Sequence, residues 1–225
     1  MTSPEMIEYR KEGGLHLVTM NNGQNTICPD WQLRMLEILD SVESDCGQGS
    51  ALVLTGADKF FCNGLNLEKV MALSSEEMDL FSRRMAEIHS RFLVLPCPTV
   101  AAMNGHAFAG GAFLALSCDY RVMREDRGWF SVSEVDVGVP IPQAMMGILR
   151  GKLQPNTARD AVFTGKRYTA DEAVAAGIAD GKASADELLD QARTLATQLG
   201  TKEPGIFKTL KQTWFGPMAE ALVAS

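Results

Sequence analysis

Two adjacent glycines, Gly110 and Gly111, are the residues of this sequence best suited to bind an anion. They follow a β-branched stretch at 99–103 and precede small and apolar residues up to Cys118, a pattern that predicts strand, turn and buried helix. The first N–H groups of a helix have no intrahelical acceptor and carry partial positive charge. A phosphate or a developing oxyanion could therefore bind at Gly110. The glycines could equally serve only close helix packing, and this segment alone leaves both interpretations open.

The elements around the glycines alternate between strands and helices. The pattern predicts strands at 15–20, 51–55, 99–103, 120–123 and 129–132, and helices from an Asp30 cap and from about Ser75. From Gln143 onward the sequence is nearly all helical, with segments at 143–150, 156–163, 170–176, 184–199 and 205–215. The predicted fold class is α/β, with repeated strand-strand-helix units at 1–142 and a helical region at 143–225. We expect the second region to close the pocket and to mediate assembly.

Composition excludes several classes of function. The 225 residues are 46% hydrophobic and 22% charged, which is enough for one substantial core. A net charge of −7 gives no basic field for a polyanion, so no nucleic-acid partner is expected. The five cysteines show no CxxC spacing and predict reduced thiols, and residues 1–9 lack a secretory apolar segment. The expected localisation is cytoplasmic.

One uncharged run, 92–118, is 27 residues long, which is enough to cross a bilayer. Two prolines and the glycines interrupt it, and no asymmetry of Lys and Arg flanks it. We therefore expect a buried core and no membrane partner. The three histidines are scattered and no cysteines have ligand spacing, so no metal is expected. No serine-hydrolase elbow or phosphate-binding P-loop motif is present.

A second motif, Lys-Phe-Phe-Cys-Asn-Gly-Leu-Asn-Leu at 59–67, follows the predicted strand at 51–55. With Asn-Gly-His-Ala-Phe-Ala-Gly-Gly at 104–111, it resembles the two oxyanion-hole segments of the crotonase (enoyl-CoA hydratase/isomerase) superfamily, in order and spacing. Residues 24–27 and 118–121 extend the resemblance over most of the chain. The resemblance implies a crotonase-like spiral of ββα units, an acyl-CoA thioester as substrate and no separate cofactor. It also implies a homotrimer or a hexamer.

The resemblance assigns roles to individual positions. The N–H groups of Leu65 and Gly110 map onto the two donors that hold the thioester oxygen, where they would stabilise an enolate. Leu65 and Leu67 could otherwise be plain core residues. Asn66 stands where the family usually has aspartate, so any contact that needs a negative charge there is in doubt. The expected contacts to substrate and CoA comprise Gln24, Thr26, Asn63, Gly64, Leu65, Asn66, Leu67 and Gly110.

The acid/base residues separate members of the superfamily. Hydratases carry two glutamates, and the first of these positions is Phe113 in this chain. The second aligns with Glu134, a pattern similar to that of the Δ3,Δ2-enoyl-CoA isomerases, in which one base moves a proton from C2 to C4. Phe113 would dry the pocket, raise the pKa of Glu134 and suppress attack by water. Asp136 is an alternative base, whereas His106, which has no obvious carboxylate partner, is interpreted as structural.

Two alternatives to the isomerase stay open on the sequence alone. One is an enoyl-CoA hydratase that works with a single glutamate. The other is a CoA-ester binding protein without catalysis. A 3-hydroxyacyl-CoA product would indicate the first, and binding without turnover would indicate the second.

Overall fold

The computed structural model describes residues 6–224, and this part of the chain folds into two sheets and ten helices. The strands are β1 Ile7–Glu12, β2 Leu15–Met20, β3 Ala51–Gly56, β4 Phe60–Cys62, β5 Thr99–Met103, β6 His106–Phe108, β7 Tyr120–Arg124, β8 Phe130–Ser131 and β9 Gly181–Ala183. The helices are α1 Pro29–Asp45, α2 Leu67–Met71, α3 Ser75–Val94, α4 Gly110–Ser117, α5 Glu134–Val137, α6 Gln143–Lys152, α7 Pro155–Thr164, α8 Ala170–Ala175, α9 Leu188–Gly200 and α10 Pro204–Val223.

The strands form a larger and a smaller sheet. The larger sheet has the order β1-β2-β3-β5-β7-β9, and every neighbouring pair is parallel except β1 and β2. The smaller sheet has the order β4-β6-β8 and is parallel. In three successive ββα units the first strand enters the larger sheet and the second enters the smaller one. This repeated unit is the α/β architecture that the sequence predicts.

Both faces of the larger sheet are covered. Alternate residues of β3 point to opposite sides, so Leu52 and Leu54 join a core with α1, α3 and α4, while Val53 packs against α9. All five residues of β5 are buried, and seven of the eight residues of α4 are buried. The uncharged run 92–118 therefore forms the centre of the fold. Among the described residues, no helix is both long enough and apolar enough to cross a bilayer.

The start of α1 differs from the prediction. Helix α1 begins at Pro29 with Cys28 as its N-cap, and Asp30 lies in the first turn, so the predicted Asp30 cap is wrong. Proline fits the first helical position because the N–H that it lacks would have no partner there. The region after Gln143 is mainly helical, as predicted, and contains one short strand that was not predicted, β9, which pairs with β7 at the edge of the larger sheet. The functional division of the chain at residue 142 stays a prediction.

A buried histidine links α3 to α4. The Ser117 hydroxyl donates to the carbonyl oxygen of Phe113 at 2.9 Å, and Nδ1 of His89 lies 2.9 Å from the same hydroxyl oxygen. Because that hydroxyl has only one hydrogen, Nδ1 of His89 must be the donor. Nε2 is then a bare acceptor, buried without a partner among the described residues. A proton on Nε2 would place a charge in an apolar core.

We expect His89 to make the fold sensitive to acid. Burial lowers the pKa of His89 to about 4, from 6.5. The unfolded chain therefore binds the proton first, and the stabilisation is complete above about pH 6.5 and is lost as the pH falls towards 4. The loss amounts to about 3 kcal/mol of unfolding free energy over that window. Urea unfolding of the protein and of His89→Gln at several pH values measures it, and an equal pH slope in both would contradict it.

Candidate active site

The motif at 59–67 forms a loop that pairs with the chain before α1. The N–H of Ile27 donates to the Gly64 carbonyl oxygen at 2.8 Å, and the N–H of Asn66 donates to the Ile27 carbonyl oxygen at 2.8 Å. Ile27 and Leu65 thus form a parallel bridge. In such a bridge the residue between the two bonded neighbours turns its own N–H to the opposite side. The Leu65 N–H is therefore free of this pairing and faces away from Ile27.

Asn25 holds this loop in place and is a residue that the sequence interpretation missed. Its side chain is fully buried, its Nδ2 donates to the Phe60 carbonyl oxygen at 2.8 Å, and its Oδ1 accepts from the Asn22 N–H at 3.0 Å. Its φ of 52° is one that asparagine tolerates better than most residues. The only sequence signal for this role was the place of Asn25 within residues 24–27, which extend the family resemblance.

The second segment leaves β6 through a strained turn. The N–H of Ala107 donates to the carbonyl oxygen of Trp129, just before β8, at 2.9 Å. The N–H of Ala109 donates to the carbonyl oxygen of Ser131, in β8, at 3.0 Å. Ala109 then adopts φ 48° and ψ −119°, a conformation that costs a residue with a β-carbon about 1–3 kcal/mol. This turn makes Gly110 the first residue of α4. Its N–H therefore has no intrahelical acceptor.

The two segments touch at their glycines. A β-carbon on Gly64 would lie 3.4 Å from the Gly110 nitrogen, and one on Gly110 would lie 3.6 Å from the Gly64 Cα. A β-carbon on Gly111 would collide with the carbonyl oxygen of Cys62, whereas one on Gly110 would make only ordinary contacts. Close packing therefore accounts for Gly111 and does not account for Gly110. Two backbone donors, at Leu65 and Gly110, lie on adjoining turns of the chain.

The remaining loop residues bond mainly to one another. Nδ2 of Asn63 donates to Oε1 of Gln24 at 2.9 Å. Asn66 caps α2, because its Oδ1 accepts from the Lys69 N–H at 3.0 Å, and its Nδ2 donates to Oγ1 of Thr26 at 3.3 Å. An aspartate could act as the cap but could not donate to Thr26. The amide that replaces the family's usual aspartate thus has a structural use in this loop.

Leu67, the first residue of α2, is 52% exposed, so the interpretation of Leu67 as a core residue is wrong. Leu65 is half-buried and packs against the main core. An exposed leucine beside the two donors gives this side of the site an apolar surface. The sequence pattern could not distinguish this position from a buried one.

Glu134 is a buried carboxylate at the start of α5. It is 8% exposed, and its Oε2 has no hydrogen-bond partner among the described residues. Burial raises the pKa of Glu134, because a charge there has lost its water, and a hydrogen bond from its own backbone N–H offsets only part of that loss. Glu134 follows β8, whose Ser131 carbonyl oxygen accepts from the Ala109 N–H at 3.0 Å. The same strand pair thus connects the glycine turn to the carboxylate.

Other candidates have different surroundings. Asp136 is exposed, and its carboxylate lies against Gly165, where a β-carbon would come within 2.6 Å of Oδ2. His106 is 8% exposed and contacts the rings of Phe60, Phe108 and Trp129, with centroid distances of 5.0 to 5.3 Å. Burial and nearby cations lower the pKa of His106. Neither environment is that of a base poised at the glycine turn.

Phe113 lies one helical turn after Gly110 and is 3% exposed. Its ring belongs to the main core. The position at which hydratases of the resembled superfamily carry their first glutamate is thus apolar and buried. Position 113 therefore supplies no second carboxylate that could act together with Glu134.

A cavity of about 440 Å³ lies elsewhere, against α9. It includes none of the residues of the glycine turn, and its lining comprises Val122, Asp180, Gly181, Glu187, Asp190, Gln191, Thr194, Leu195 and Gln198.

Across residues 6–224, no group of three His, Cys, Asp or Glu side chains is placed to hold a metal ion.

Known proteins of one family are similar to this chain over most of its length. A model of the family described as enoyl-CoA hydratase/isomerase matches residues 10–224. "Enoyl-CoA delta isomerase 3" from Arabidopsis thaliana is 35% identical over 205 residues, which cover 88% of this chain and 86% of the relative.

Two solved structures have the same fold. An enoyl-CoA hydratase/isomerase family protein from Pseudomonas syringae superposes with a TM-score of 0.91 at 28% identity, covering 98% of this chain and 94% of the other. An enoyl-CoA hydratase from Mycobacterium marinum superposes with a TM-score of 0.88 at 27% identity, covering 97% and 95%. With both motifs in their expected places in the fold, the chain belongs to the enoyl-CoA hydratase/isomerase, or crotonase, family.

Proposed function

We propose that this protein is an enoyl-CoA isomerase that converts a 3-enoyl-CoA to a 2-enoyl-CoA. The observation that carries the proposal is Glu134, a buried carboxylate whose Oε2 has no hydrogen-bond partner among the described residues. Phe113 occupies the position at which hydration would need a second carboxylate. The relative named enoyl-CoA delta isomerase 3, at 35% identity, supports the same reaction.

The backbone donors supply the electrostatic part of the reaction. The thioester oxygen accepts from the N–H groups of Leu65 and Gly110, and both bonds strengthen as the carbonyl becomes an enolate. One donor of this kind lowers the barrier by about 3–4 kcal/mol. Because Gly110 begins α4, the helix dipole adds partial positive charge at the same point.

Glu134 supplies the proton transfers. Its carboxylate takes a proton from C2, the electron pair spreads over C2, C3 and C4 as a dienolate, and the carboxylic acid returns the proton to C4. The double bond then lies between C2 and C3, and the carboxylate is regenerated. One base suffices because the same proton leaves and returns. Phe113 is apolar and buried, so this position offers no second carboxylate to hold water for attack at C3.

The substrate contacts extend over the loop around α2. We assign the thioester and pantetheine arm of CoA to Gln24, Thr26, Asn63, Gly64, Leu65, Asn66, Leu67 and Gly110. Support comes from the hydrogen bonds that join this loop to residues 24–27 and from the exposed apolar side chain of Leu67.

Activity should show an acid limb set by Glu134. The active form is the carboxylate, and burial raises the pKa of Glu134 above its ordinary value of 4.5. kcat/KM should therefore fall as the pH drops through a midpoint above 4.5. Assays across pH, with each sample returned to neutral pH to exclude unfolding, measure the midpoint. A limb at or below the ordinary value would contradict the buried environment of the base.

Hydration of a 2-enoyl-CoA by a single glutamate is the second candidate function. The similarity to the Mycobacterium marinum protein named enoyl-CoA hydratase supports this candidate. A chromatographic product assay with a trans-3-enoyl-CoA and, separately, a trans-2-enoyl-CoA decides between them. The proposal expects the 3-ene to become the 2-ene without 3-hydroxyacyl-CoA. Hydroxyacyl product from the 2-ene would favour the hydratase, and binding without turnover of either would favour a non-catalytic CoA-ester binding protein.

We also propose that the protein assembles as a homotrimer or a pair of trimers. Large exposed apolar side chains on two helices support an assembly, with Phe163 72% exposed on α7 and Trp214 77% exposed on α10. Light scattering on the full chain tests it, and a stable monomer would contradict it.

A further inference from the structure

Two thiols with no part in the proposed reaction lie side by side away from the glycine turn. Cys46 is the C-cap that directly follows α1, and Cys97 lies between Pro96 and Pro98 in the connection from α3 to β5. Gly47, which follows Cys46, lines the same small cavity as Cys97. This places the two thiols next to each other, and a side-chain hydrogen bond joins them. Cys46 is half-buried and reachable from solvent, whereas Cys97 is 2% exposed. A dissolved reagent can therefore reach the Cys46 thiol, whereas the Cys97 thiol is shielded from solvent.

A buried cation lies beside the pair. Lys211 of α10 is 5% exposed, and its Nζ lies 3.4 Å from the Cys97 carbonyl oxygen and 2.8 Å from Oδ2 of Asp119. The ammonium favours a thiolate at either sulfur, although Asp119 offsets part of its charge. A cation beside a partly exposed cysteine favours the reactive thiolate form.

The two sulfurs have different roles. The Cys97 thiol donates towards Cys46 and so lowers the pKa of Cys46, and Lys211 acts in the same direction, against burial and the charges of Glu43 and Asp45. The pKa of Cys97 is raised by the same contact and by burial. Cys46 therefore ionises first and is the nucleophile, while Cys97 keeps its proton.

We propose that Cys46 and Cys97 form a peroxide-sensitive pair that closes to an intramolecular disulfide. The Cys46 thiolate attacks one oxygen of a peroxide and breaks the O–O bond, which gives Cys46 sulfenic acid and hydroxide. The Cys97 sulfur then displaces water from the sulfenic acid and forms the S–S bond. In balance, two thiols lose two hydrogens and one hydrogen peroxide becomes two waters. Once Cys46 carries no charge, its contact no longer raises the pKa of Cys97.

The disulfide would link two segments covalently, next to a contact with a third. It ties the end of α1 to the α3–β5 connection, at the carbonyl that Lys211 of α10 contacts. Closing so long a loop restricts the unfolded chain, and we expect Tm to rise by about 5–10 °C on oxidation.

The remaining cysteines serve as internal controls. Cys28, Cys62 and Cys118 are buried. Burial raises the pKa of Cys62 and of Cys118 to about 12, so both remain neutral thiols. Peroxide at low excess should leave these three unmodified.

Intact mass and peptide mapping of the full chain test the proposal, after brief hydrogen peroxide treatment and alkylation under denaturing conditions. We expect alkylatable thiols to fall from five to three, the mass to drop by two hydrogens, and one cross-linked peptide to join Cys46 to Cys97, all reversed by dithiothreitol. Five alkylated thiols, a sulfinic acid at Cys46 without a cross-link, or a disulfide between two molecules would overturn it.

Variants separate the two roles. Cys97→Ser should accumulate a Cys46 sulfenic acid that reacts with dimedone, and Cys46→Ser should leave Cys97 a free thiol after peroxide. Cys28→Ser is the matched control and should form the disulfide as the unaltered protein does. Equal dimedone labelling of Cys97→Ser and the unaltered protein would overturn the assignment of Cys97 as the resolving thiol.

Discussion

Glu134→Gln is expected to lower kcat for conversion of a 3-enoyl-CoA by about 10³-fold or more, with little change in substrate binding. The amide keeps the shape of the side chain but can neither take the C2 proton nor return it to C4. Because the same group serves both transfers, no second residue compensates for its loss. Steady-state kinetics with a 3-enoyl-CoA, together with titration of a CoA ester, separate the chemical step from binding.

The matched control is Asp136→Asn, two residues further on, where an exposed carboxylate loses its charge in the same way. It should retain the activity of the unaltered protein. Glu134→Gln should also be at least as stable at neutral pH, since a raised pKa means that the buried charge destabilises the fold. A variant that stays folded and active would remove Glu134 from the mechanism.

Gly64→Ala is expected to reduce kcat by about 10²-fold by displacing the two backbone donors. At its φ of 82°, a β-carbon would lie 3.1 Å from both the Ala109 Cβ and the Phe108 carbonyl oxygen. Relief of that contact must move the Leu65 loop or the turn that presents Gly110. Since donors work only when aimed at the developing oxyanion, a small shift costs activity.

Gly177→Ala is the control for backbone strain. Gly177 has φ 69°, and a β-carbon there meets nothing within 4 Å. Both variants should lose about 1 kcal/mol of stability from the left-handed backbone. Only Gly64→Ala should lose activity, as kinetics and urea unfolding of both will measure. Equal activity losses would mean that strain, and not donor placement, explains the effect.

The sequence predicted the long elements and the two motifs because their signals are local. β3 and β5 are continuous, largely apolar runs of five residues or more, and α3 follows helical periodicity. The glycine pair stands at a recognisable strand-to-helix turn. The family resemblance added the order of the motifs. The placement of the uncharged run at the centre of the fold also followed from its composition.

The rest depended on long-range contacts. β4 and β6 have three residues each, too few for periodicity, and they form only because β4, β6 and β8 pair across distant parts of the chain. An alanine gives no sequence signal for the positive φ of Ala109, a residue whose N–H bonds to the distant Ser131 carbonyl oxygen. The short strand β9 was missed for the same reason, since its stability comes from β7.

The fate of the C2 proton tests the central claim most directly. A 3-enoyl-CoA deuterated at C2 is converted in ordinary water, quenched within the first turnovers, and analysed by mass spectrometry for deuterium at C4. Because Glu134 is 8% exposed, with an oxygen that no described residue contacts by a hydrogen bond, we expect part of the deuterium to reach C4 before it exchanges with water. Product with no deuterium at C4 at the earliest time, or full-rate isomerisation by Glu134→Gln, would contradict a single buried base.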